Sequence, residues 1–401
     1  MAQPDVIFDP FSAEYFADPH SVYRRLRDEA PVYYNAEHDF YALTRHSDVA
    51  AAYRDFRTFS STGGIDLAMV KSGEPPPSSI LFMDPPEHRR MRGLLAKAFT
   101  PSAVRHQRST VIDLVRKYLG AADPRRFDVV QDFAALFPVE VITRITGVPE
   151  QFSQQVRLWI DEALHHDPGQ LERTETSMAG FVNVAMFYFN LVQQRRAEPR
   201  RDDMIGTLIA AEVERDNGEL SSLDDLEIAG FVTLLGGAGA ETVTKLVANA
   251  IAVFADHPDQ WRMLVDDRSR IASAVEEVLR YEGPVQHNVR RTLRDITLHG
   301  VTIPAGKPVL LCGASANRDP RAFTDPDTFD IDRDHSEAAQ LGLGFGVHIC
   351  LGAALARMET AIALDHLLDF MPRYDVLWDE ARRISSPNMS GWSHLPVAVD
   401  R

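Results

Sequence analysis

The sequence predicts a mainly α protein with small β-sheets, and three observations carry that expectation. Apolar residues recur at helical spacing over most of the 401 residues. Strand-like alternation is confined to VYYN and FYALT near the N-terminus, DITLHGVTIPAGKPVLLC, and the C-terminal tail. The stretch 223–257 is apolar nearly all round, which marks a buried helix.

The elements follow in order. HSVYRRLRDEA (20–30), EHRRMRGLLAKAF (87–99), RHQRSTVIDLVRKYLG (105–120), 151–165 and TSMAGFVNVAMFYFNLVQQRRA (176–197) read as helices. The Pro-rich patch GEPPPSSILFMDPPEH (73–88) reads as a long loop before a helix. Ser222 with Asp225 resembles a capping box for the long central helix, with Asp in place of Glu or Gln, and Pro258 follows its end. That helix would span about 50 Å. Its middle, GGAGAET, places Gly236, Gly237 and Gly239 where each costs about 1 kcal/mol relative to Ala. Either a flat ligand approaches the backbone there, or a neighbouring helix does. AALARMETAIALDHLL (353–368) reads as a last helix. No repeat or long linker breaks the chain, so 1–401 is expected to be one domain with a small β appendage.

Composition narrows the function classes. Hydrophobic residues make up 45% and charged residues 25%, ordinary globular values. Two cysteines, Cys312 and Cys350, give no disulfide framework. The N-terminus MAQPDVIFDPFSAEYF has neither a basic flank nor an apolar run. The longest apolar stretches are broken by Gly, Glu or Lys, so no membrane anchor is expected. A net charge of −16 argues against nucleic acid. The expectation is a soluble, cytoplasmic protein whose partner is a small molecule or another protein.

Four local patterns carry chemistry. LGLGFGVHICLG (341–352) sets Cys350 among four glycines at the mouth of a helix. Helix N-terminal amides and dipole favour a thiolate there. A lone cysteine cannot close a structural zinc site. It is left as a nucleophile, as the single protein ligand of a haem iron, or, most commonly for a lone Cys, as a buried thiol. A dinucleotide fingerprint fails, since Val347 stands where glycine is needed. Glu277 and Arg280 lie i,i+3, usually an ordinary ion pair. His88 and Arg92 share a helical face with Arg89, Arg90 and Lys97 nearby, which suits either an anionic ligand or a solvated basic face. Glu241 precedes Lys245 by four residues, an ion-pair spacing, yet Glu241 and Thr242 beside the glycine gap also suit proton delivery.

In this order along the chain, the patterns resemble those of the cytochrome P450 family, the haem-thiolate monooxygenases. The family's F-G-x-G-x-H-x-C-x-G matches Leu343 to Gly352, E-x-x-R matches Glu277 and Arg280, and A/G-G-x-D/E-T-T/S matches Ala238 to Val243. FTDPDTFDIDR, ANRDP, DPPEH and the terminal LPV fit as well. The resemblance implies the family's fold, with the long central helix over haem b. It makes Cys350 the axial thiolate, which favours O–O cleavage. It implies that His88, Arg92, Arg290 and His348 hold the propionates, Arg290 being chosen over Arg291 because it stands five before Asp295. Gly344, Phe345, Gly352 and Ala238 would border the haem. Glu241 and Thr242 would organise protons for O2 activation, and Glu277, Arg280 and Arg333 would form a structural ion network. The substrate pocket is expected from the 63–70 loop, Leu234, Ala238, Val285, His287, Met389 and Trp392, largely apolar, with His287 and Asn288 as polar anchors. Cys312 reads as a core residue.

Two departures stand out. Leu343 replaces the family's aromatic, and Val243 replaces a hydroxyl after Thr242. The implied activity is insertion of one atom of O2 into an apolar organic substrate. Electrons would come from a ferredoxin-type donor docking on Arg89, Arg90, Arg92 and Lys97. A peroxygenase using H2O2 and a non-enzymatic haem sensor are the alternatives.

Overall fold

The computed structural model describes residues 6–74, 76, 79–215 and 218–400, so three residues of the Pro-rich patch lie outside it. The chain is mainly helical with small sheets, as its patterning predicts. The central helix runs Asp225–Asp256. Its cap lies two residues beyond the expected pair. Asp224 accepts from the Glu227 amide at 2.8 Å, and Glu227 accepts from the Asp224 amide at 2.9 Å, so the box is Asp224/Glu227 and not Ser222/Asp225. Ser222 instead ends the small strand Leu220–Ser222.

This helix packs against Phe137–Thr146, Ser153–Leu164, Glu175–Ala197, Ile271–Tyr281 and Ala353–Phe370. Phe231, Val247, Ile251 and Phe254 meet Phe133, Phe137, Leu364 and Leu367 in the main core. It is also long and apolar enough to cross a membrane, where the sequence suggested that no segment would be. Its Gly, Glu and Lys residues do not break the pattern, but the helix is a core element, and Glu241, Lys245 and Asn249 are buried within the fold.

Neighbouring helices account for two of the three glycines. A Cβ at Gly236 would come within 2.2 Å of Tyr188 Oη, and one at Gly239 within 2.6 Å of Ile142 Cγ1, so these two admit neighbouring helices. A Cβ at Gly237 would meet nothing within 4 Å.

The largest sheet has the order Val32–Asn35, Phe40–Leu43, Pro308–Leu311, Asn288–Thr292, Phe59–Ser60. The Asn288–Thr292 strand was not expected, because NVRRT is short and basic. It pairs antiparallel with Pro308–Leu311 and sets Val309 opposite Arg290. Neighbouring strand residues point to opposite faces, so Arg290 is buried while Arg291 is exposed. The tail forms Arg373–Val376 and Pro396–Asp400, joined by Phe127–Asp128, and the hairpin Arg382–Arg383 with Trp392–His394.

The connection 165–174, between Ser153–Leu164 and Glu175–Ala197, is tied at three places. The His166 amide donates to Ser385 O at 3.0 Å and the Gly169 amide to Phe11 O at 2.7 Å. Arg173 Nη2 meets Asp66 Oδ2 at 3.1 Å.

Candidate functional site

The cysteine loop is closed by its own backbone, the Cys350 amide donating to Leu343 O at 2.8 Å. Gly346 has φ +71°, and a Cβ there would strike Tyr53 O at 2.5 Å. Glycine is therefore required for the loop to turn and to lie against the helix His46–Arg54. A Cβ at Gly352 would meet nothing within 4 Å, so open space lies beside the cysteine. The Phe345 ring carries the Arg54 guanidinium at 4.4 Å. Leu343 packs, half-buried, against the main core.

Burial pushes the Cys350 thiol up, while the Gly352 amide, Arg92 and Arg357 pull it down. Burial wins, so the helix terminus alone does not give the thiolate that its position suggested. A bound metal ion reverses that balance, since a coordinating thiol is deprotonated outright.

The basic residues converge beside this loop. Arg92 Nη2 donates to Ile349 O at 2.6 Å. His348 Nε2 lies 3.1 Å from Ser61 Oγ, and its ring is 4.2 Å from that of His88. Desolvation and neighbouring cations depress both histidines, His88 to about 4 and His348 to about 3, so both are neutral at pH 7. His88 is 1% exposed, and neither ring nitrogen has a hydrogen-bond partner among the described residues. Arg290 is buried, donates to Val289 O at 2.8 Å, and has no carboxylate partner among the described residues. Buried cations and donors without partners are costly unless a ligand satisfies them. The cluster is chemically suited to carboxylates such as the propionates of a haem.

The Glu277–Arg280–Arg333 network is assembled. Arg280 grips Glu277 with two bonds of 2.7 and 2.8 Å, both side chains wholly buried. Arg333 Nε reaches Glu277 Oε1 at 3.1 Å. Arg280 also donates to Asn317 O at 2.9 Å, and Asn317 Oδ1 accepts the Leu341 amide at 2.6 Å. The network thus reaches the first residue of the cysteine loop through one shared asparagine.

On the central helix, Thr242 Oγ1 donates to Ala238 O at 2.7 Å, and Ala238 is exposed although the helix is internal. Leu234 is half-buried. Glu241 pairs with Lys245 at 2.5 Å, both buried. A cavity of about 320 Å³ opens at this pair and is lined by Asp161, His165, Lys245, Arg383, Ser386 and Met389 among others. Charged and polar side chains share its wall with Val130, Leu164 and Ile384, and of the expected pocket residues it takes only Met389. Val285 bridges the Met389 backbone from outside it. His287 is 4% exposed, its Nδ1 3.4 Å from Tyr15 Oη, so one nitrogen of this expected substrate anchor faces the N-terminal core. Cys312 is buried in that same core.

Sequence reasoning missed several participants. Asp161 stands opposite Glu241, Ser61 meets His348, and Arg357 sits near Cys350, paired with Glu276 through Nη2 at 3.0 Å. The phase of the helix 153–164 could have flagged Asp161, since Val156, Ile160 and Ala163 bury the adjoining face.

The docking cluster is smaller than expected. Arg89 and Lys97 are exposed, whereas Arg90 is half-buried and Arg92 is committed to the loop.

A cytochrome P450 family model matches residues 124–388. Cytochrome P450 130 of Mycobacterium tuberculosis is 36% identical over 92% of this chain and 92% of its own. The erythromycin C-12 hydroxylase of Saccharopolyspora erythraea is 36% identical over 93% and 92%. The crystal structure of CYP109E1 from Bacillus megaterium in complex with testosterone superposes with a TM-score of 0.87 at 30% identity, covering 97% of this chain and 99% of that one.

Proposed function

Because the chain belongs to the cytochrome P450 family, we propose that it is a haem-thiolate monooxygenase that inserts one atom of O2 into an apolar organic substrate by hydroxylation or epoxidation. The observation that carries this reading is the set of basic groups beside the Cys350 loop, above all His88, buried with both ring nitrogens unpartnered among the described residues. Haem b, once bound, supplies the O2 chemistry, in which two electrons and two protons turn one oxygen into water while the other enters the substrate.

The chain's own residues do the rest. Cys350 is the iron ligand, and the Gly352 amide and Arg357 stabilise charge on its sulfur. Arg92, Arg290, His88 and His348 hold the propionates, with Arg92 fixed in place by Ile349 O. Gly344 and Phe345 shape the loop, and Ala238 and Gly352 leave room beside the ligand. Thr242 presents its hydroxyl over the Ala238 carbonyl, and Glu241 on the next face of the helix supplies it with protons. Leu234, Val285 and Met389 border the substrate.

The same reading makes 1–401 one domain, soluble and cytoplasmic, reduced by a separate ferredoxin-type donor that docks on Arg89 and Lys97. The erythromycin hydroxylase and the testosterone-bound relative place macrolides and steroids first among substrates to try. The reduced protein with carbon monoxide should absorb at about 450 nm, as a thiolate ligand gives. Cys350→Ala should abolish that band. A wild-type band elsewhere, or a variant that keeps it, would remove Cys350 from the iron. Turnover with H2O2 but none with ferredoxin and NADPH would make the enzyme a peroxygenase instead.

A further inference from the structure

Asp161 stands three residues before the end of the helix Ser153–Leu164, and its carboxyl group lines the same cavity as that of Glu241 on the central helix, whose charge acts on it. Two neighbouring carboxylates repel, which favours a proton held between them, while cations on both sides oppose it. Arg157 Nη1 is 2.8 Å from Asp161 Oδ2, and Lys245 Nζ is 2.5 Å from Glu241 Oε1. His165 and Arg383 are the other titratable or charged groups on the cavity wall. The two carboxyls differ in their access to water. The Asp161 side chain is 36% exposed, while that of Glu241 is 7% exposed. The cavity of about 320 Å³ at this point has room for about ten waters at ~30 Å³ each.

We propose that Asp161 and Glu241 share one exchangeable proton, and that Asp161 reloads Glu241 from the cavity water whenever Glu241 gives its proton up towards Thr242. Water in the cavity protonates Asp161, leaving hydroxide that equilibrates with solvent. Asp161 passes a proton to Glu241. Glu241 releases one on the inner side. Thr242 is the next residue, about 100° round the helix, so the pair carries protons from the wet face towards the active face. Burial and the charge of Glu241 push Asp161 up to about 7, which leaves the shared site partly occupied near neutral pH. Asp161 is a positioning residue acting through Glu241, and the inference rests on the monooxygenase reading of Glu241 and Thr242.

The test uses the holoprotein and its Asp161→Asn, Asp161→Glu, Glu241→Gln and Arg157→Gln variants. An infrared titration from about pH 5 to about pH 9 should show a protonated-carboxyl band with a near-neutral midpoint. The band should vanish in Asp161→Asn and Glu241→Gln. Its midpoint should rise in Arg157→Gln, which keeps both carboxyls and loses a cation. NADPH consumption driven by a surrogate ferredoxin and its reductase should slow about 10- to 100-fold in Asp161→Asn, with a larger D2O effect and a displaced pH profile, and Asp161→Glu should restore most of the rate. No near-neutral band in the wild type overturns the proposal, as does an Asp161→Asn enzyme with the wild-type pH profile and D2O effect. The carbon monoxide spectrum of the same samples reads the haem-thiolate assignment separately, since the infrared band needs no turnover.

Discussion

Single side chains near the centre take their roles from what else they bond. Thr244 Oγ1 is committed to Ala134 O at 2.9 Å, and Val243 is 3% exposed in the main core. The family hydroxyl missing at Val243 is therefore a packing residue here, and Thr244 does not stand in for it. His287 is held neutral by burial, its pKa depressed to about 3. In the unfolded chain it takes a proton near pH ~6.5. Between those values the unfolded state binds more protons, so stability falls as pH falls, by up to ~1.4 kcal/mol per pH unit from this group. His287→Phe should flatten that slope in denaturant titrations repeated across the acid range; an equal slope would mean the ring is not buried. Cys350, Glu277 and Arg280 were legible because their motifs are contiguous. Arg333, expected beside Glu277, is found there, but other pairs formed with distant chain were not legible. Tyr53 Oη reaches Asn288 Oδ1, 235 residues away, at 2.8 Å, and no local pattern announces such a pair.

Among the elements, the central helix was the most legible, since an all-round apolar run of that length has few other solutions. Which face each glycine serves was not legible, because Tyr188 and Ile142 come from other helices. That division gives opposite outcomes for one substitution. Gly236→Ala would drive a methyl into Tyr188 and should cost about 1–3 kcal/mol. Gly237→Ala meets nothing within 4 Å among the described residues and should gain up to ~1 kcal/mol from helix propensity. Thermal melts separate the two, and similar losses in both variants would defeat the assignment. The strand Asn288–Thr292 was hidden for a related reason. NVRRT shows no alternation of hydrophobicity, and its neighbour Pro308–Leu311 provides the pairing that makes it a strand.

For the whole molecule, net charge and local charge point different ways. The chain carries −16, yet Arg89 and Lys97 are exposed on one helix–turn segment. An acidic donor would be steered to that spot against the general field. Arg89→Glu and Lys97→Glu should each raise the donor concentration needed for half-maximal reduction several-fold at low salt, with the difference fading as salt rises. Unchanged reduction rates at low salt would move the dock elsewhere. The overall architecture followed from periodicity, but long-range ties such as those of the 165–174 connection did not, because backbone groups carry no sequence signature. Those ties have a mechanical consequence. A helix anchored just beyond its last turn behaves as a lever, and Asp161 sits near the anchored end. Lifting the connection off Phe11, Asp66 and Ser385 would carry that carboxyl away from its partner on the central helix. On the proposed proton route the ties would form an interlock, in which the supply is complete only when the connection is fastened down.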